Sequence, residues 1–326
     1  MRCCRRLPSA PTTRHRVGCG SFRTTARDSS RAVVRKEPHP MLRQEATAMD
    51  HSDHEPERFS LFSWLVYYAC KPLINRGGRE SDIPSNYFEM EVEKSQRFDD
   101  SFSIQLGGKT VLEIGSNVGG YLCHALNHGA QFVYGIEIDA VKANRARSLL
   151  KDNYDGDNYE VIAADARDLY MIKDKSIDIV VSDAVLEHVE NVDKLFSEVA
   201  RILRPNGRAC LATSPIWFTS NGGHLRRYIP IPWVHNVLPD RTIIEVLRIQ
   251  KIRNDFPEEA CANIIGLYET IGKLSLHRIR RVTANSNLKI ESLRNVSRSR
   301  IRRFLIRFPV LEELFAGGIK ISLRRT

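Results

Sequence analysis

A glycine-rich turn between two carboxylates is the part of this sequence best suited to chemistry. The segment VLEIGSNVGGYL places Glu113 in an apolar run that stops at Gly115, and a helical pattern restarts at Gly119. This order predicts a strand, a tight turn and a helix, as at the start of a nucleotide-binding α/β unit. A second apolar run ends at Glu137, whose carboxylate could accept hydrogen bonds from two ribose hydroxyls. Together, the turn and this carboxylate predict a nucleoside-binding site.

The composition of the turn distinguishes between two kinds of ligand. A dinucleotide fingerprint reads G-x-G-x-x-G and holds a pyrophosphate at the helix N-terminus, whereas the order here is Gly115-Ser-Asn-Val-Gly119-Gly120. Glu113 would repel a pyrophosphate, but it suits a cationic ligand that carries an amino group. Asn117 is the non-glycine residue type that best tolerates a positive φ angle. The pattern therefore disfavours a nicotinamide dehydrogenase.

These residues resemble the first motif of the class I S-adenosylmethionine-dependent methyltransferases, which reads roughly (D/E)xGxGxG. Asn117 stands where that family usually has its middle glycine. Four later segments match the family's motifs in order: Ala164–Ala166, Ser176–Ser182, Asp183–Val189 and Ala200–Gly207. The resemblance is close over residues 108–215, and it implies an enzyme that transfers the methyl group of S-adenosylmethionine.

The resemblance also implies which residues bind S-adenosylmethionine. They are Glu113, Gly115, Ser116, Asn117, Gly119, Glu137, Ile138, Asp165, Ala166 and Asp183. Glu113 and the turn would face the methionine part, Glu137 the ribose, and Asp165 the exocyclic amine of adenine. Asp183 is assigned to the cofactor, with contact to the acceptor as the alternative.

Two histidines are candidates for the catalytic base. Methyl transfer to oxygen needs an acceptor held in line and a base that removes its proton. His188 follows the predicted fourth strand, and His224 lies in the segment SNGGHLRRY. The alternative for His188 is a residue that shapes the cofactor pocket, and for His224 a loop residue that caps local backbone.

The acceptor is predicted to be a small molecule or a glycan. The Gly-Gly-His segment and the following IPWVH resemble methyltransferases of glycan and polysaccharide synthesis. Relatives that methylate quinone-type hydroxyls bind a metal through a carboxylate at the position of Ala184, so no metal site is predicted. RNA or protein methylation is the first alternative, although the typical acceptor motifs are absent, and a non-catalytic cofactor-binding scaffold is the second.

Charge and hydropathy restrict the partners. The net charge is +10, but residues 1–50 and 273–326 carry the excess, and residues 51–272 are acidic. The basic C-terminal run is interpreted as a solvated helix face, and no aromatic-rich RNA motif accompanies it, so a nucleic-acid partner is not expected. No apolar run reaches the ~18–20 residues that cross a bilayer. Leu61–Ile74 repeats apolar residues at helical spacing, which predicts a helix packed on the main domain. Peripheral membrane contact through this helix or through the basic C-terminal region is the alternative.

The chain is predicted to have three parts. Residues 1–48 form a disordered basic segment, 49–107 an N-terminal helical extension with a break at Gly77–Gly78, and 108–326 the methyltransferase domain with a lid insertion at 216–260. We predict a cytoplasmic location. A mitochondrial one is the alternative, if residues 1–36 are a transit peptide, and a third possibility is that translation starts at Met41 or Met49.

The fold class is predicted to be α/β: a Rossmann-like seven-stranded sheet with helices on both faces. The insertion after the fifth strand contains four prolines and directly follows a fifth, Pro215, so it is expected to be irregular and to roof the acceptor site. Beyond it we predict a helix, a strand, a second helix and a final antiparallel strand, at Ala262–Arg281, Leu288–Val296, Ile301–Phe315 and Ile319–Leu323.

Overall fold

The computed structural model describes residues 58–74, 86–297 and 299–326. The predictions for residues 1–48, for the break at Gly77–Gly78 and for a start at Met41 or Met49 lie outside the described residues.

Seven strands form a single sheet, as predicted. They are β1 Thr110–Ile114, β2 Phe132–Glu137, β3 Tyr159–Ala163, β4 Ile177–Asp183, β5 Leu203–Thr213, β6 Leu288–Val296 and β7 Gly318–Arg325. The strand order is β3-β2-β1-β4-β5-β7-β6. β1 to β5 pair in parallel, and β7 lies antiparallel between β5 and β6. The predicted antiparallel last strand is therefore confirmed.

Helices cover both faces of the sheet, which confirms the predicted layers. They are α1 Leu61–Cys70, α2 Tyr87–Phe102, α3 Gly120–Asn127, α4 Ala140–Asn153, α5 Val192–Ile202, α6 Val234–Val237, α7 Asp240–Ile252, α8 Glu258–Thr270, α9 Leu276–Ala284, α10 Arg300–Leu305 and α11 Pro309–Phe315. One apolar core joins α5 and α9 to the sheet, and a second joins α2, α3 and α4 to it. The crossover helices α3, α4 and α5 pack on the sheet through apolar residues that recur at helical spacing.

The insertion after β5 differs from the prediction. Residues 216–260 were expected to be irregular, but they contain the thirteen-residue helix α7. Pro239 and Pro257 directly precede α7 and α8. A proline near a helix start costs no hydrogen bond, because the first N–H groups of a helix have no intrahelical partner. These two prolines therefore mark helix starts, and interpreting them as loop signals was wrong.

The two C-terminal helices were each predicted as one and are each broken. The first stops at Thr270 and restarts after Ser275, and Gly272 lies in the break. A Cβ atom at Gly272 would lie 2.0 Å from the carbonyl oxygen of Val189, so the chain passes very close to the loop after β4. The second is interrupted before α11, where Pro309 begins a new helix.

Helix α1 is confirmed, but much of the apolar repeat that predicts it does not face the domain. Its buried residues are Ser63, Val66, Tyr67 and Cys70, which pack with α7 and α8 in a third apolar core. Leu61, Leu65 and Tyr68 of the predicted repeat are exposed. Within the described ranges, no helix is both long enough and apolar enough to cross a membrane.

A buried polar cluster joins α2 to α3. The hydroxyl of Tyr121 donates to Asp99 Oδ1 at 2.8 Å, and His124 Nε2 lies 2.8 Å from Asp99 Oδ2. All three residues are buried. Since Tyr121 also lines the main cavity, this cluster fixes α2 beside the candidate site.

Removing Asp99 is expected to destabilise the fold. The Asp99→Ala variant leaves the buried donors of Tyr121 and His124 without their acceptor, at a cost of about 1–3 kcal/mol in the free energy of unfolding. Urea denaturation measures this loss. Asp100→Ala, which removes an exposed carboxylate from the same helix, is the control and should change stability little. Equal stability of the two variants would contradict the structural role of Asp99.

Candidate active site

A cavity of about 690 Å³ lies at the carboxyl ends of the parallel strands, where open α/β sheets bind ligands. Nine of the predicted site residues line it: Glu113, Gly115, Asn117, Glu137, Ile138, Asp165, Ala166, Asp183 and His188. Ser116, Gly119 and His224 are not among the lining residues. A cavity of this size is within the range of about 300–1,000 Å³ typical of small-molecule sites.

The turn after β1 requires glycine at its first position. Gly115 has a φ angle of +76°, and a Cβ atom there would lie 2.3 Å from a methyl carbon of Val185. Its amide donates to the carbonyl of Ile136 at 2.8 Å, which ties the turn to β2. Asn117 has a φ angle of +46°, so it adopts the left-handed conformation that the sequence predicted.

Backbone amides hold the carboxylate of Glu137 at the end of β2. The amide of Asn117 donates to its Oε2 at 2.8 Å, and the amide of Asp139 donates to its Oε1 at 3.1 Å. The residue is 7% exposed. Each carboxylate oxygen has a further lone pair, so the group could still accept hydrogen bonds from hydroxyls of a ligand.

Glu113 is the most unusual acid in the cavity. Its Oε2 is buried and has no hydrogen-bond partner among the described residues. Burial, and then the charges of Glu91, Asp183 and Glu137, raise its pKa well above the usual value, while Lys94 opposes the shift. A cationic group of a ligand would supply the partner that this carboxyl lacks.

Asp165, after β3, is paired with a residue that the sequence analysis missed. Arg167 Nε lies 2.9 Å and Nη2 2.6 Å from Asp165 Oδ2, and the Arg167 amide donates to Oδ1 at 2.8 Å. The side-chain hydrogen bonds from Arg167 lower the pKa of Asp165. Both residues line the cavity, so the predicted adenine contact would be made by a carboxylate already held by a guanidinium.

Helix α2 forms a wall of the cavity that the sequence analysis also missed. It contributes Tyr87, Glu91, Lys94, Ser95 and Phe98. These positions recur at helical spacing, which places them on one face of the helix, and that periodicity was the available signal. Lys94 Nζ lies 2.5 Å from Asp183 Oδ2 and so pairs α2 with the end of β4.

The contacts of Asn117 explain why it stands in place of a glycine. Its Nδ2 donates to Tyr87 Oη at 3.1 Å and to Glu91 Oε1 at 3.0 Å. A glycine would lack both bonds. The side chain therefore ties the turn after β1 to helix α2 across the cavity wall.

His188 reaches the cavity, whereas His224 lies behind it. His188 is exposed and lies in a 3₁₀ turn after β4, and its ring centroid is 5.3 Å from that of His224. Burial, and then the neighbouring His188 and His235, lower the pKa of His224 to about 4. His224 is therefore uncharged at neutral pH. The catalytic roles of both histidines stay predictions.

The loop that carries His188 is fixed by hydrogen bonds of the preceding residue, Glu187. Glu187 is buried and accepts hydrogen bonds from the Thr213 hydroxyl and the Ser214 amide. Its carbonyl accepts from the amide of Gly272 at 3.1 Å. The close approach at Gly272 thus helps to fix His188 relative to the sheet.

The insertion does not roof the cavity as predicted. Among the described residues, none of 216–260 lines it, and Thr270 at the end of α8 is the lining residue that follows β5. In the described ranges, no group of three or more His, Cys, Asp or Glu side chains is arranged to hold a metal ion.

Comparisons with known proteins agree with this architecture. A family profile described as "Methyltransferase domain" matches residues 112–211. The ubiquinone biosynthesis O-methyltransferase of Coxiella burnetii is 30% identical over 145 residues, which are 43% of this chain and 56% of that protein. The phosphoethanolamine N-methyltransferase 2 of Caenorhabditis elegans is 28% identical over 104 residues, or 32% of this chain and 23% of that protein.

Among solved structures, an S-adenosylmethionine-dependent methyltransferase from Mesorhizobium loti is 19% identical, with a TM-score of 0.47. The match covers 73% of this chain and 100% of that one. The match with the Coxiella protein spans only about half of that relative's length.

Proposed function

We propose that this chain is a class I S-adenosylmethionine-dependent methyltransferase that methylates an oxygen atom of a small molecule or a glycan. The "Methyltransferase domain" profile that matches residues 112–211 supports the methyl transfer. The observation that carries the proposal is the buried carboxyl oxygen Oε2 of Glu113, which has no hydrogen-bond partner among the described residues and lies in an acidic cavity. S-adenosylmethionine carries an ammonium and a sulfonium group, so such a cavity suits it.

The cavity residues fit the three parts of this cofactor. Glu113 would bind the ammonium group, Glu137 the ribose hydroxyls, and Asp165 with Arg167 the adenine side. When bound, S-adenosylmethionine supplies an electrophilic methyl group on a positively charged sulfur. Asn117 keeps α2 against the turn and so helps to exclude water from the methionine end.

We assign the activation of the acceptor to His188 and not to His224, because His188 lines the cavity. A ring nitrogen of His188 would accept the proton of an acceptor hydroxyl. General-base assistance of this kind typically contributes a factor of about 10²–10⁴ in rate. His224, uncharged and packed against His188, would act through it by fixing the position of its ring.

Calorimetric titration with S-adenosylmethionine, S-adenosylhomocysteine and NAD tests the cofactor assignment. We expect both adenosyl ligands to bind and NAD not to bind. A screen of phenolic and glycan acceptors with isotopically labelled methyl donor then tests the reaction. A folded sample that binds neither adenosyl ligand would refute the proposal, and binding without turnover on any acceptor class would favour the scaffold alternative.

One observation favours a second candidate, methylation of an amine. Glu91 and Glu190 line the cavity in addition to the acids assigned to the cofactor, and they would attract a cationic acceptor. The same acids disfavour a nucleic-acid phosphate in the cavity. Amine acceptors belong in the same screen, and methylation of amines alone would replace the oxygen assignment.

Replacing Glu137 with alanine is expected to weaken S-adenosylmethionine binding by about 1–3 kcal/mol, or roughly 5- to 150-fold, because charged hydrogen bonds to the ribose are lost. Titration of the Glu137→Ala variant measures the effect. Glu160→Ala removes an exposed carboxylate from β3 and serves as the control. If both variants bind as tightly as the wild type, the ribose assignment is wrong.

A further inference from the structure

Helix α1 has two different sides, although its sequence LFSWLVYYAC carries no charge. One side is buried against the third apolar core. The other side, with the turn that follows, exposes five large apolar side chains: Leu61 (77%), Phe62 (51%), Leu65 (60%), Tyr68 (53%) and Leu73 (63%). We call these five residues the α1 apolar face. Water-exposed apolar groups gathered on one face usually mark a binding surface.

The α1 apolar face is held in place by specific contacts on the opposite side of the helix. The Ser63 hydroxyl donates to Glu245 Oε2 at 2.8 Å, and the Tyr67 hydroxyl donates to Asp255 Oδ2 at 2.6 Å. The amide of Ser60 also donates to Glu245 Oε2, at 2.9 Å. Helix α1 is therefore anchored to the domain with its apolar face outward.

Cationic side chains border the α1 apolar face. Arg58 precedes the helix and Lys71 follows it, and both are exposed. The Arg253 guanidinium lies 5.2 Å from the Trp64 ring centroid, and its Nη2 donates to Tyr68 Oη at 3.3 Å. The carboxylates of Glu245 and Asp255 accept hydrogen bonds from Ser63 and Tyr67, which lie on the opposite, buried side of the helix. The border thus has the charge that complements anionic headgroups.

We propose that the α1 apolar face binds the surface of an anionic lipid bilayer. An interfacial helix buries its apolar side at the level of the acyl chains while basic residues contact the headgroups. Tyr68 and Trp64 combine an apolar ring with a polar tip, as residues at membrane interfaces do. A single helix of ten residues, about 15 Å long, is small compared with the 20–30 residues that each side of a typical protein interface contributes.

Co-sedimentation of the full chain with phosphatidylcholine vesicles, with and without phosphatidylglycerol, tests the proposal. We expect binding to the anionic vesicles, and about tenfold or more loss of binding for Leu65→Glu, because one apolar anchor becomes a charge. Val141→Glu is the matched control: Val141 is 77% exposed on α4, and the variant should bind like the wild type. Unchanged S-adenosylmethionine affinity in Leu65→Glu would show that it is folded.

Four results would overturn the proposal. The wild type could remain in solution with both kinds of vesicle, or Leu65→Glu could bind as well as the wild type. Vesicle binding could instead depend on Phe304, which is exposed beside arginines on α10. In that case the Phe304→Glu variant would lose vesicle binding and Leu65→Glu would not. Finally, sedimentation velocity could reveal a dimer that Leu65→Glu dissociates, in which case a second copy of the chain covers the face.

Discussion

Replacing His188 with alanine is expected to lower kcat by about 100-fold or more, because the variant lacks the general base that we propose for the acceptor proton. The affinity for S-adenosylmethionine should change little, since Glu113, Glu137 and Asp165 remain. Steady-state kinetics with the acceptor identified by the screen measures kcat, and titration measures the cofactor affinity. A fall in kcat without a change in cofactor affinity indicates a base. The loss of a residue that only shapes the pocket would weaken cofactor binding as well.

Two histidine variants serve as comparisons for His188→Ala. His277→Ala removes an exposed imidazole from α9 and should leave kcat unchanged. His224→Ala should lower kcat less than His188→Ala does, because His224 does not line the cavity and would act only by positioning. A kcat that survives in His188→Ala but collapses in His224→Ala would reverse the assignment of the base.

Replacing Glu113 with glutamine is expected to have opposite effects on binding and on stability. Binding of S-adenosylmethionine should weaken by about 2 kcal/mol or more, roughly 30-fold, since one partner of a buried charge pair is lost. The free protein should become more stable at neutral pH, because the variant no longer buries a carboxylate beside three other acids. Binding and stability would therefore change in opposite directions at one residue.

The raised pKa of Glu113 also predicts how the stability change in Glu113→Gln depends on pH. The pKa of Glu113 is raised in the folded state, so between the unfolded and folded pKa values the folded protein holds more protons. The stability contributed by the protonated carboxyl is present at low pH and is lost as pH rises through the folded pKa. The advantage of Glu113→Gln over the wild type should consequently grow from acid to neutral pH.

Thermal unfolding over a pH series, with and without S-adenosylmethionine, measures both effects of Glu113→Gln. Glu160→Gln changes an exposed carboxylate on β3 in the same way and is the control. A lower unfolding midpoint for ligand-free Glu113→Gln would show that burial of the Glu113 carboxyl does not destabilise the free protein. Unaltered cofactor affinity would instead contradict its assignment to the ammonium group, and the two results are independent.

Local sequence patterns were enough to predict the elements of the parallel half of the sheet. The buried parallel strands were predictable as short, nearly continuous apolar runs, and the crossover helices α3 to α5 repeat apolar residues at helical spacing. The turn at Gly115 and the acid at Glu137 were found for the same reason: their types and spacing are local requirements of a strand end. The cavity brings both together as expected.

The distant residues that complete the site could be identified only from the packing of the folded chain. Asn117 contacts Tyr87 and Glu91, which are 30 and 26 positions away, and nothing in the periodicity of α2 says which element its polar face meets. Likewise, helical spacing identified α1 but not the side that packs, because both of its sides are apolar. Local patterns fix an element and its faces, whereas the choice of partner for each face depends on packing between segments far apart in the chain.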